Sequence, residues 1–173
     1  MTPKLQQPTL EEMIGEIERE AATTRRVLER VPTDQLAWKP HPKSMPLGQL
    51  AMHVATIPMG ISKIAEPDEF EINPANFTPP EPKSREEIIA ALDGAVQAAR
   101  EYLQGVNEQG AKGMWRAKLG GREIMAMPRA VMLRTLMLNH WYHHRGQLSV
   151  YLRLLDVPVP SIYGPSADDN PFV

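Results

Sequence analysis

Four segments of this chain repeat apolar residues at steps of three and four, the spacing of amphipathic helices that pack into a bundle. Most prolines gather between these segments, and no internal repeat of solenoid length is visible. A chain of 173 residues that is 42% hydrophobic can bury one core. We therefore predict an all-α fold, a four-helix bundle that forms a single domain over residues 1–173.

Polar caps and prolines delimit the first two predicted helices. Thr9 is predicted to cap the first helix in a reciprocal capping box with Glu12, and Pro32 to end it. Ser44 is predicted to cap the second helix, which Pro58 should bend. The apolar stripes are Leu10, Ile14, Ile17, Ala21, Thr24, Leu28 and Val31 in the first helix, and Leu47, Leu50, Val54, Ile57, Ile61 and Ile64 in the second.

A long connection separates the second helix from the third. Residues 66–83 are rich in proline and are predicted to form an extended crossover with little structure of its own. Ser84 and Glu87 form a second predicted capping box, which opens the third helix. Further along, residues 114–119 and 122–125 surround two glycines and predict one small β-hairpin. The apolar stripe of the third helix is Ile89, Leu92, Val96, Ala99, Leu103 and Val106.

The last helix is the longest, predicted from Pro128 to about Asp156, and its stripe is partly polar. Three polar side chains occupy positions where a bundle core normally has apolar ones. Bundles commonly place metals and cofactors on such inward-facing residues. The stripe is Leu133, Met137, His140, His144, Gln147, Tyr151 and Leu154.

His140 and His144 are four residues apart, so their side chains are neighbours on one helix face. This spacing lets two imidazoles bind one ion, and His53, beside the stripe of the second helix, is the best candidate for a third ligand. The alternative is that they are structural histidines with other partners. Burying imidazoles without partners costs about a few kcal/mol each. From this pair alone, metal binding and a structural role remain equally open.

Other polar residues near the pair are given lesser roles. His143 lies about 60° to the other side of His140, so we place it on the flank, as a group behind the ligands. Gln147 is predicted to support a ligand imidazole through a hydrogen bond. Arg145 is interpreted as solvated, and His41, between two prolines, as a surface residue.

Several functional classes are excluded by the composition. The chain has no cysteine, so it has no disulfide, thiolate metal site or cysteine nucleophile. A net charge of -2 attracts neither nucleic acid nor an anionic membrane. Trp141 stands where a zinc protease needs a glutamate, and the stripes lack the glutamates of a di-iron site. Residues 1–12 lack the pattern of a secretory signal, and residues 44–62 are too polar for a membrane span, which predicts a cytoplasmic protein.

The most specific pattern is the run NHWYHHRGQL at residues 139–148, together with His53 in Met-His-Val. The Trp-Lys-Pro loop at residues 38–40 and the ending at residues 160–168 accompany it. This combination resembles the DinB/YfiT-like superfamily of metalloproteins. The resemblance implies a four-helix bundle with a long crossover and three metal-ligating histidines, here His53, His140 and His144. It also implies a homodimer and one divalent ion, which is zinc, nickel, manganese or iron.

The same resemblance implies more than one activity. The leading hypothesis is a metal-dependent transferase that activates a low-molecular-weight thiol for attack on a small-molecule substrate. Hydrolysis by metal-bound water and a non-enzymatic, metal-dependent binding or sensing domain are the alternatives. Tyr163 and Asp168 would reach the site only if the C-terminal segment folds over it. No catalytic residue beyond the ligands is assigned.

Overall fold

The computed structural model describes residues 9–172, which form a helical bundle with a small β-sheet. The predicted four-helix bundle with a long crossover is confirmed. Residues 1–8, on which the prediction about a secretory signal partly depends, lie outside the described range. The helices are α1 (Leu10–Leu28), α2 (Leu47–Ala65), α3 (Arg85–Gly105), the short α4 (Glu108–Lys112), and a continuous last helix made of α5 (Arg129–Met132), a π-helical segment (Leu133–Asn139) and α6 (His140–Leu154). Short 3₁₀ turns cover Thr33–Gln35 and Pro74–Phe77.

The polar caps of α1 and α3 are present, although only the first is a full capping box. Thr9 Oγ1 accepts a hydrogen bond from the Glu12 amide at 3.1 Å, and the Thr9 amide donates to Glu12 Oε2 at 2.7 Å. Ser84 Oγ accepts from the Glu87 amide at 3.2 Å. The Glu87 carboxylate, however, accepts from the Lys83 amide at 2.8 Å rather than from Ser84, so the reciprocal bond is absent.

The start of α2 differs from its prediction. Pro46, not Ser44, is the N-cap residue, and it makes no side-chain capping bond. The first two amides of α2 donate instead to the backbone oxygens of Trp38 and Leu36, at 2.8 and 2.9 Å. A Cβ at Gly48 would lie 3.2 Å from that Leu36 oxygen, so the close approach of the loop favours glycine here. Backbone groups of the preceding loop therefore replace the predicted side-chain cap.

The crossover contains a strand that the sequence did not predict. β1 (Glu69–Glu71) pairs in parallel with β2 (Met114–Leu119), and β2 pairs antiparallel with β3 (Arg122–Pro128). Gly120 and Gly121 make the turn of the predicted hairpin with φ of 59° and 76°, which glycine adopts without strain. The prediction of a crossover with little structure is wrong over β1, because a strand of three residues is too short to show a period.

The core face of the last helix follows the predicted stripe at Leu133 and Met137 and departs from it at His140. Its buried residues are Arg129, Met132, Leu133, Met137, Leu138, Trp141, Arg145, Leu148 and Leu152. His140 and His144 are half-buried, and Leu154 is 57% exposed. The π-helical segment explains this shift, because hydrogen bonds that span five residues put more residues in each turn. Successive steps of four from Leu133 to Arg145 therefore stay on the core face, and His140 and His144 lie on its edge.

A proline inside α2 links this helix to α6. Pro58 has no amide hydrogen, so the carbonyl of Val54 lacks its partner within the helix. The indole N–H of Trp141 donates to that carbonyl at 2.8 Å, and both residues are fully buried. Because Val54 follows His53 and Trp141 follows His140, this bond holds the two helices together at the level of the histidines.

Trp141→Phe is expected to lower the free energy of unfolding by about 1–3 kcal/mol, because the Val54 carbonyl stays buried without its donor. Urea unfolding followed by circular dichroism measures the change. Adding Pro58→Ala should recover part of the loss, since alanine restores an amide to α2. An equal loss with and without Pro58→Ala would contradict this account of the bond.

Candidate metal centre

Three imidazoles meet between α2 and α6. One ligand nitrogen from each of His53, His140 and His144 can be chosen so that all three lie within 4.8 Å of one another. The ring centroids are 4.5 to 5.2 Å apart, and the Nε2 atoms of His140 and His144 are separated by 2.8 Å. Nitrogen ligands of a tetrahedral zinc ion lie about 3.4 Å apart. Small side-chain rotations would therefore bring the three nitrogens to the spacing that one ion requires.

Gln147 fixes the protonation of one of these rings. Its Oε1 lies 2.6 Å from Nδ1 of His144. Because an amide oxygen only accepts, Nδ1 of His144 carries the proton and Nε2 keeps its lone pair toward His140. At 2.8 Å this lone pair needs a proton or a cation between the two rings. The arrangement thus presents a nitrogen in the form that binds a metal.

Burial lowers the pKa of all three imidazoles. The pKa of His53 falls to about 4, mainly because of burial and also because charges on His144 and His140 would repel its own. Burial likewise lowers the pKa of His140, against a hydrogen bond with the backbone of Leu136 that raises it. Burial lowers the pKa of His144 too, although the hydrogen bond with Gln147 opposes the shift. At pH 7 the three rings are neutral and hold the lone pairs that a metal needs.

The metal-free protein is expected to lose stability as the pH falls from about 6.5 to about 4. In this window the unfolded histidines bind protons that the folded ones do not, so acid favours unfolding. For His53 the loss is on the order of 1–2 kcal/mol after allowance for its partial exposure. Urea unfolding in chelator at both ends of the window measures it. Between these two pH values the free energy of unfolding of His53→Gln should fall less than that of the parent protein. An equal fall in both would be inconsistent with this cause.

An apolar cleft adjoins the histidines. We call it the α2 cleft: a cavity of about 350 Å³ between α2 and residues 70–80 of the crossover, with His53 and His140 in its wall. Ile57, Ile61 and Phe70 contribute apolar surface. Among the described residues, those that line the cleft include no aspartate or glutamate. A small molecule in the cleft would therefore lie next to the imidazoles in apolar surroundings.

The other residues that the sequence singled out lie around or away from the three rings. His143 is exposed, with its ring 4.9 Å from that of His144, and is not one of the three converging groups. His41 is exposed, and its Nδ1 accepts from a neighbouring loop amide at 3.1 Å. Tyr163 bonds to residues of α1 and α6, and Asp168 pairs with an arginine of α6. Neither Tyr163 nor Asp168 lines the α2 cleft.

The sequence profile of the DinB family matches residues 1–170. The chain belongs to the DinB family. The uncharacterized protein YrdA of Bacillus subtilis (strain 168) is 26% identical over 163 residues, which cover 93% of this chain and 92% of that protein. None of the helices in the described range has the length and apolar character needed to cross a membrane.

Solved DinB-like structures share the fold. A DinB-like protein from Bacillus cereus ATCC 10987 matches with a TM-score of 0.69 and 28% identity, covering 91% of this chain and all 100% of that one. A DinB-like protein from Bacillus subtilis matches with a TM-score of 0.64 and 17% identity, and the match covers 91% of this chain and 98% of that one. At the lower identity the likeness concerns the fold alone. The helical bundle of this chain is therefore a DinB fold.

One residue of the DinB-like run has an environment opposite to its prediction. The sequence predicts a solvated Arg145, yet this residue is 1% exposed. Its guanidinium pairs with the Glu20 carboxylate at 2.6 Å and also donates to Thr24 and Tyr163. A signal for this was present in α1, where Glu20 and Thr24 lie four residues apart and Thr24 interrupts the apolar stripe. Buried polar groups of this kind require a partner from another helix.

A second ion pair lies one turn earlier in α1. Glu16 accepts hydrogen bonds from Arg134, at 2.6 Å, and from the phenol of Tyr142. Burial by itself would raise the pKa of Glu16, but these two bonds lower it. Burial, together with the bond to Glu16, raises the pKa of Tyr142. The two acids of α1 thus hold the last helix on the side away from His140 and His144.

Proposed function

We propose that His53, His140 and His144 bind one divalent transition-metal ion, and that this centre activates a low-molecular-weight thiol for transfer to a small electrophile. The convergence of three imidazole nitrogens within 4.8 Å is the observation that supports it. Catalytic zinc sites typically have three protein ligands and keep a further position for water or substrate. When bound, the ion would supply a Lewis acid that lowers the pKa of a thiol in that position.

The chain's own residues prepare the centre in three ways. Burial keeps His53 neutral at pH 7, so that its lone pair is available. Gln147 holds the Nδ1 proton of His144, which directs Nε2 toward the other rings. The bond from Trp141 to the Val54 carbonyl holds α2 and α6 at the distance that the shared ligation requires.

One feature of the surroundings supports thiol transfer over hydrolysis. The absence of cysteine from the chain is compatible with either reaction, and in thiol transfer the sulfur nucleophile comes from a second molecule. In the described lining of the α2 cleft there is no carboxylate to serve as a general base for water. In the proposed reaction the thiol proton passes to solvent and a sulfur–carbon bond forms. The bond from that carbon to the leaving group breaks, and the leaving group keeps the electron pair.

A screen with defined metal content tests the proposal. Protein stripped with a chelator is reloaded with zinc, nickel, manganese or iron and mixed with glutathione, coenzyme A, bacillithiol or mycothiol and 1-chloro-2,4-dinitrobenzene. Adduct formation should accelerate only with both metal and thiol present, and His41→Ala should behave as the parent protein. Ester hydrolysis without thiol would instead support the hydrolase. A ligand that stabilises the metal form and is recovered unchanged would support the sensing domain.

Two further features of the proposal concern the ion and the assembly. Three imidazoles suit several divalent ions, so cellular availability contributes to which one is bound. Elemental analysis of gently purified protein identifies that ion. The homodimer implied by the sequence resemblance stays a prediction, which sedimentation equilibrium tests.

A further inference from the structure

We infer that the α2 cleft binds a small molecule with an apolar body and one anionic end group, placed with that end group at Lys63 and its other end at the histidines. The cleft as a binding site is independent of the metal chemistry. Its assignment as the site of the electrophile rests on the proposed function. Four observations support the inference: the length of the cleft, its apolar middle, its single cationic end and its open wall at Gly60.

The cleft is elongated along α2. His53 and Lys63 both line it and are ten residues apart, which corresponds to about 15 Å along the helix axis. A volume of about 350 Å³ lies near the lower end of the range for small-molecule pockets. A cavity of this length and volume is narrow. It fits a slender molecule better than a broad one.

The middle of the cleft offers apolar contacts and few free polar groups. Ile57 and Ile61 lie between His53 and Lys63 along α2, and Phe70 adds apolar surface from the crossover. The Thr56 hydroxyl, also in the wall, donates to the Met52 carbonyl within its own helix at 2.8 Å. A polar group of a ligand would lose its water here without gaining that hydroxyl as a donor. The central part of the ligand is therefore apolar.

The far end of the cleft carries a positive charge. Lys63 is exposed, and among the described residues no carboxylate lies within 4.0 Å of its amine. The described lining contributes no acidic side chain either, so nothing in the cleft neutralises this amine. An anionic end group, such as a carboxylate, complements this charge while the apolar body covers the isoleucines.

The wall of the cleft is open at Gly60. A Cβ built at this residue meets no atom within 4 Å, and Gly60 lines the cleft, so a larger side chain has room there and would narrow the cleft. Gly94, inside α3, has equally open surroundings and does not line the cleft. Leucine at either position replaces an exposed glycine in a helix, which by itself favours the helix. The two substitutions therefore form a matched pair that differs only in the cleft.

Calorimetric titration of the full chain with octanoate and with octan-1-ol tests the inference, in the zinc-loaded and the chelated protein. The chelated protein isolates the cleft from any affinity of the metal for carboxylate. Both ligands should bind, and octanoate should bind more tightly. Gly60→Leu should weaken both by at least about tenfold, whereas Gly94→Leu should change neither. Lys63→Gln should weaken octanoate by about threefold to fivefold and leave octan-1-ol unchanged.

Three results would overturn the inference: no octanoate binding, octanoate binding that Gly60→Leu leaves intact, or equal octanoate affinity in Lys63→Gln. Circular dichroism checks that Gly60→Leu is folded, and Gly60→Met replaces it if it is not. The failures of the two proposals are distinguishable. Octanoate binding without thiol transfer in the reloaded protein would refute the proposed function alone. Thiol transfer without octanoate binding would refute the assigned ligand class alone.

Discussion

His140→Ala is expected to lose stoichiometric metal binding, with an affinity at least about 100-fold lower than that of the parent protein. Removing a partner that only orients a ligand typically costs about 10- to 100-fold, and removing the ligand itself costs more. The substitution also takes away the nitrogen that lies 2.8 Å from Nε2 of His144. Elemental analysis after dialysis measures occupancy, and competition with a chromophoric chelator measures affinity. His144→Ala should give the same result.

Three further substitutions, at His41, His143 and Gln147, distinguish the ligands from other residues. His41→Ala, at an exposed loop residue, should retain full occupancy. His143→Ala should weaken binding only modestly, because its exposed ring lies beside the three and is not one of them. The metal affinity of Gln147→Ala should lie between that of His143→Ala and that of His140→Ala. His144 would keep its ligand nitrogen but lose the hydrogen bond that orients its ring. Full occupancy in His140→Ala would refute the ligand assignment.

Arg145→Met is expected to lower the free energy of unfolding by about 3–5 kcal/mol, because it leaves a largely buried carboxylate without its charged partner. The side chains of Arg145 and Glu20 are 1% and 14% exposed, so little water can replace the lost ion pair, and Glu20 keeps only the hydrogen bond from Tyr163. Thr24 and Tyr163 lose their donor as well. Urea unfolding of the parent protein and the variant at pH 7 measures the difference.

A double substitution tests whether the loss comes from the unpaired charge. Glu20→Leu combined with Arg145→Met should recover most of the stability, because apolar replacements of a buried pair are often close to neutral. Arg153→Met, in an exposed pair of the same helix, should change stability little. If the double variant were as unstable as Arg145→Met alone, packing rather than charge would be the cause.

Local signals in the sequence account for most of the fold. The Thr9 and Glu12 pair predicted the capping box of α1, and the apolar spacing predicted the helices. Two glycines between short apolar segments predicted the hairpin. The start of α2 was not predictable in this way, because its amides bond to carbonyls of Leu36 and Trp38 that only the folded loop brings near. The strand β1 likewise exists only through its pairing with β2.

The candidate site likewise has features that the sequence predicts locally and features that only the fold creates. The pairing of His140 and His144 follows from four-residue spacing, which is local. The sequence indicated His53 as their partner, and its approach depends on how α2 packs on α6. The burial of Arg145 could not be predicted from its own segment, because it depends on Glu20 of α1, which is far away in sequence. The α2 cleft could not be predicted at all, since one of its walls is the crossover segment folded along the helix.

The position of His140 depends on the number of residues in the π-helical segment Leu133–Asn139 as well as on their chemistry. Removing a single residue there would turn every later side chain by about 100° against the part of the helix that precedes it. The two imidazoles of α6 would then rotate away from His53, even though every ligand was still encoded. A loop that carries no ligand and no paired strand would absorb the same change in length at a small entropic cost. The geometry of the site therefore depends on the residue count before His140 as much as on the ligands themselves.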